Sequence, residues 1–256
     1  MSVGADSVPL MTGTSYWSHS PETAVCRAYS GEYGIVLLDP PLPGGTVEPS
    51  PHDPVRARAF AEAFPTVEAV LEELPPLPPA ESLSVETLAD LDLIAVGCWG
   101  SATGMADPAL TAYDAGMTPV LDGARVMRER HPGALIVGSA QADFGESHTE
   151  DVIWLPEGPL LFASGFPCYE DPWHVDGDPR AVLDALGIDP AELDEEYREY
   201  LHLDGEPHSI NWGMLGGLVL EHCGHRPAAG LEMSVFRVRH VEGYTSMMEE
   251  MWLSEL

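Results

Sequence analysis

Lysine is absent from all 256 residues, and the eleven basic residues are all arginine. That absence removes several chemistries at once. No Schiff base can form to pyridoxal phosphate or to a carbonyl substrate, because both need a lysine amine. A P-loop places its lysine on the phosphates and a protein kinase needs its strand lysine, so neither nucleotide machine is present. Asparagine occurs once, as Asn211. These shortages suit the GC-rich coding bias of an actinobacterial or halophilic composition.

Long apolar runs are missing too. No stretch approaches the roughly 18 residues that a membrane helix needs. The first residues carry no apolar segment of the signal-peptide type. Cys26, Cys98, Cys168 and Cys223 lie far apart, with no C-x-x-C pair. The expectation is a cytoplasmic protein with reduced thiols and no membrane association. A domain of this length buries roughly 70–75% of its unfolded surface, enough to hold a core without disulfides or metal.

What the chain has in excess is acid. Forty-two aspartates and glutamates against eleven arginines give a formal charge of −31. Genome bias and solubility explain such a charge in one way. A surface that meets a basic protein, such as a nuclease-like toxin, explains it in another. Direct nucleic-acid binding is not expected, since it depends on neutralising phosphates with basic side chains.

Apolar patterning predicts a mixed α/β fold. Continuous apolar runs over Gly34–Leu38, Asp92–Trp99 and Ala134–Ala140 read as buried strands. Asp53-Pro54 opens a helix whose spacing continues through Phe60, Phe64, Val67 and Leu74, with Pro65 expected to kink it. Thr118-Pro119 opens a second helix, ended by Pro132-Gly133. This alternation predicts a three-layer domain with a mostly parallel central sheet of right-handed βαβ units. An antiparallel hairpin around Pro156-Glu157-Gly158, helices opened by Asp178-Pro179 and Asp189-Pro190, and a C-terminal strand and helix complete it. Residues 1–30 are expected to be poorly ordered, and residues 31–256 to form one domain with a proline-rich connector at 75–80.

Candidate chemistry falls where such a sheet would bind ligands, beyond the strand ends. Cys98 closes the second apolar strand and is a candidate nucleophile, with a histidine as its base. The segment Asp143, Glu146, His148, Glu150, Asp151 gathers carboxylates around one histidine, as general acid–base work or a divalent metal requires. His148 and Glu146 are its catalytic candidates. Asp143 and His148, with His174 and Asp176 from "CYEDPWHVDGDP", form a candidate ligand set if the two loops converge. In "LVLEHCGHRP", Glu221, His222, Cys223 and His225 are all ligand types, but helical spacing turns Glu221 about 100° from His222. That stretch reads better as a helix end, with Gly224 as its terminal glycine and His222 turned inward.

No complete catalytic motif emerges. The expectation is therefore an acidic, immunity-like binding or inhibitor domain that engages a basic protein. The alternative is a metal-assisted hydrolase or lyase using the histidines and carboxylates above.

Overall fold

A computed structural model describes residues 16–25, 31–41, 50–79, 83–113, 116–143, 147–167, 173–225 and 231–253. Among the described residues there are nine strands: β1 (Gly31–Leu38), β2 (Val67–Leu77), β3 (Leu93–Trp99), β4 (Ala102–Ala106), β5 (Leu135–Asp143), β6 (Ser147–Trp154), β7 (Leu160–Gly165), β8 (His174–Asp176) and β9 (Met233–His240). They form one sheet in the order β2-β9-β3-β4-β1-β5-β6-β7-β8. Six helices pack around it: α1 (Pro54–Glu62), α2 (Pro119–Arg130), α3 (Pro179–Leu186), α4 (Glu195–Tyr200), α5 (Trp212–His222) and α6 (Glu242–Leu253).

Every neighbouring pair in the sheet is antiparallel, which overturns the expected parallel βαβ core. The reason is physical. An unalternating apolar strand shows that both faces are covered, and helices can cover both faces of an antiparallel sheet as well. Three features carried the strands back on themselves. A turn with Gly100 at φ 64° joins β3 to β4, so "GCWGSATG" is a hairpin. β5 and β6 pair directly from Leu135's side of the sheet to Asp143↔Ser147. The apolar spacing after Pro65 belongs to β2, which runs along β9 through three register shifts and ends over Pro75-Pro76-Leu77. Prolines are tolerated there because β2 is an edge strand.

The local signals that involve caps fared better. Asp53 accepts from the Val55 and Arg56 amides, and Asp178 from Arg180. Gly224, at φ 82°, ends α5; its amide bonds Glu221 and the His225 amide bonds Leu220, the paired pattern of a glycine-terminated helix. His222 turns inward and its Nε2 meets the Leu186 carbonyl at 3.1 Å.

Two cores result. α1 and α2 cover one face through Ala57, Ala61, Val120 and Ala124 on Ile35, Ile94, Ile136 and Phe236. α3 and α5 cover the other through Val182, Leu183, Leu215 and Val219 on Leu135, Val137, Ile153 and Leu161. A third cluster joins α6 to Trp17, Leu88 and Leu91. Arg128 locks α2 to the β6–β7 turn, donating to the carbonyls of Pro132, Trp154, Leu155 and Pro156 while stacking over Trp154. Among the described residues, no helix is long and apolar enough to cross a membrane.

Candidate functional site

Side-chain size across the sheet decides where space is left. On the α5 face, register aligns Ala95 with Ala106, Ala106 with Gly34, Gly34 with Ser139 and Ser139 with Asp151. This row of small residues crosses β3, β4, β1 and β5 and forms a trough. The helix above also lacks bulk, since Gly213, Gly216 and Gly217 face it. Gly216 packs closely, because a Cβ there would sit 3.0 Å from the Val137 side chain, which would have to shift. Gly217 does not: an added Cβ would meet nothing within 4 Å.

The result is a two-part cleft. Its inner chamber, about 410 Å³, is walled by Val36, Trp99, Leu220, Leu231 and Met233. The Trp99 ring lies flat against Gly97, where any Cβ would overlap it, and its Nε1 donates to the Glu232 carbonyl at 2.9 Å. The outer mouth, about 860 Å³, is lined by Gln141, Thr149, Asp194, Glu196, Tyr197 and Glu221, among others. Tyr197 donates to Glu221 across it at 3.3 Å, and the neighbouring Tyr200 is half exposed. Ser139, Gly213 and Gly217 line both parts, so the two are continuous.

Behind Ser139 and Thr149 lies Asp151, buried to 6% exposure. The Ser139 hydroxyl donates to its Oδ1 at 2.7 Å and the Thr149 hydroxyl to its Oδ2. A hydroxyl has one proton. Committed to Asp151, Ser139 and Thr149 are left with lone pairs alone to offer the cleft.

The residues singled out from sequence are placed elsewhere. His148 stands on the opposite face of β6, stacked on Tyr113 at 4.0 Å and beside Phe166 at 5.1 Å, with Nε2 against the Ser164 hydroxyl at 3.2 Å. Burial pushes its pKa down to about 4, so the ring is neutral near pH 7. His174 is exposed on β8, its ring 5.5 Å from Phe162, and faces Ser164 in register. His148 and His174 thus share a face with Ser164 between them, while Asp176 is exposed further along β8. Asp143 closes β5 opposite Ser147; Glu146 lies outside the described residues, as do Cys26 and Cys168. Among the described residues, no group of three His, Cys, Asp or Glu side chains is placed to hold a metal ion. Cys98 is buried at the base of a separate cavity of about 220 Å³ between α1 and α2. Burial raises its thiol pKa, although Thr103 approaches the sulfur at 3.7 Å, so no thiolate nucleophile is prepared there.

Neighbouring Glu150 points to the His148 face and takes the Leu121 amide at 2.9 Å, serving the α2 terminus that Thr118 leaves without a side-chain cap. Burial lifts its pKa to about 8.

Ser139, Thr149 and Gly217 carried no motif. The available signal was the cluster of three glycines inside "NWGMLGGLVLEH", an unusual density for a helix interior. Comparison with curated proteins and with solved structures found no match. A family model described as a family of unknown function (DUF6333) matches residues 16–255, and the chain belongs to that family.

Proposed function

We propose that this protein is a binding or inhibitor domain that engages a basic protein segment through the lobe formed by α3, α4 and their flanking turns. One observation carries the reading. Between 176 and 206 the chain places Asp176, Asp178, Asp184, Asp189, Glu192, Asp194, Glu195, Glu196, Glu199, Asp204 and Glu206 against Arg180 and Arg198 alone. Nearly all of this acid is exposed. Elsewhere four arginines pair with local acids: Arg58 with Glu62 and Glu73, Arg125 with Asp122, Arg237 with Glu72 and Arg239 with Glu68. In the lobe, Arg180 takes Asp204. The lobe therefore concentrates the negative field, and Tyr197 and Tyr200 at its lip add faces on which a guanidinium can stack.

The alternative, a metal-assisted hydrolase or lyase, draws on His148 and His174. It has less support, because Ser164 separates the two rings and His174 sits in the open.

The test is a labelled nona-arginine peptide. It should bind at low salt and weaken about tenfold or more between about 50 mM and 500 mM salt. Neutralising Asp194, Glu195, Glu196 and Glu199 together should remove most of the affinity. Neutralising Asp39, Glu62, Asp122 and Glu129, all distant from the lobe, should change it no more than about twofold. Equal losses for the two variants would show that net charge alone acts, and the lobe would lose its assignment.

A further inference from the structure

The inner chamber has no part in that reading, since a highly charged surface contact needs no apolar recess behind it. We propose that the cleft binds a hydrophobic organic amine, with its apolar body in the chamber and its ammonium at the waist on Ser139 and Thr149. This inference does not rest on the protein partner.

Space comes first. At about 410 Å³ the chamber falls within the range of roughly 300–1,000 Å³ typical of small-molecule sites. A trough floored by Ala95, Ala106 and Gly34 and roofed by Gly217 is left unfilled where one larger side chain would close it. Cavities and interior helix glycines both oppose stability, and Gly217 has no packing reason to be glycine.

Polarity then selects the head group. Ser139 and Thr149 are fixed as acceptors by their bonds to buried Asp151, so they seek a donor. An ammonium offers three N–H donors and a positive charge, and the carboxylate behind the hydroxyls favours both. Glu196 and Glu221 extend the same preference outward into the mouth. No arginine lines either part among the described residues. His225, in the chamber wall, is kept neutral by burial. A carboxylate, sulfate or phosphate head would meet lone pairs at Ser139 and Thr149 and the acids of the mouth, which disfavours fatty acids and nucleotides as occupants.

Decylamine, decanol and decanoate share one chain and differ in the head, so calorimetric titration of the intact protein with each is decisive. Decylamine should bind with one-to-one stoichiometry, about tenfold or more tighter than decanol, and decanoate more weakly than either. Gly217→Leu, which fills the chamber from α5, should weaken decylamine about tenfold or more while raising the melting temperature. Decanoate binding as well as decylamine would overturn the head-group assignment. Unchanged decylamine affinity in a folded Gly217→Leu protein would overturn the chamber. Should that variant fail to fold, Ser139→Ala serves: it should collapse the preference for decylamine over decanol, and an unchanged preference refutes the waist. Nona-arginine bound without decylamine defeats this inference alone, and decylamine bound without nona-arginine defeats the lobe assignment alone.

Discussion

Two positions on the same face of β6 pull stability in opposite directions with pH, because each buries a group that prefers to be neutral. Folding raises Glu150 from 4.5 to about 8, so the native state holds that proton more tightly than the unfolded chain. Its contribution is complete below about pH 4.5 and drains away as pH climbs through 8. Glu150→Gln keeps an acceptor for the Leu121 amide and carries no charge. It should melt about 4–8 °C above the parent at pH 8.5, equivalent to about 2 kcal/mol, with the gap closing at pH 4.5. A constant gap across that range would rule out titration as the cause. His148 behaves conversely: its pKa is depressed from 6.5 to about 4, so its contribution is complete above pH 6.5 and falls away toward pH 4. Thermal melts of His148→Phe should show a smaller loss than the parent between pH 7 and pH 5, by about 1–2 kcal/mol. Sequence made His148 look like a catalyst and set Glu150 among the acids around it, since clustered acids and a histidine suit that work. Their burial, which sets both pKa values, comes from Tyr113, Phe166 and the first turn of α2, all distant in the chain.

At the level of elements, α5 shows what local sequence can and cannot say. Its end was readable, because an αL glycine stops a helix by backbone geometry alone. Gly224→Ala should cost about 1 kcal/mol, seen as a lower urea midpoint with unchanged slope, because φ 82° strains an L residue. Gly217→Ala, in the same helix but without that constraint, should stabilise by about 0.5–1 kcal/mol. If both substitutions moved the midpoint alike, the different roles given to these glycines would fail. The paired strands were less readable. β4 is "ATGMA", too short and too small to register as apolar, and β2 carries three glutamates and two prolines. Both exist because a neighbour supplies the hydrogen bonds: β4 lies between β3 and β1, and β2 rests on β9.

For the molecule as a whole, the charge of −31 is a standing self-repulsion. Adding sodium chloride from about 10 mM to 500 mM should raise the melting temperature by screening it. The same salt should weaken binding of a basic peptide; a melting temperature that falls with salt would contradict the first effect. The sequence by itself determined the net charge, the lysine chemistry it excludes, the apolar strands and several helix caps, since all of these depend on residue type or on neighbours a few positions away. Only the tertiary structure decided that the strands run antiparallel, because two-sided burial does not encode direction. It alone brought Ala95, Ala106, Gly34 and Ser139 into one row under α5. A cleft is a property of which side chains are missing from a shared volume, and those absences come together only when distant strands pair.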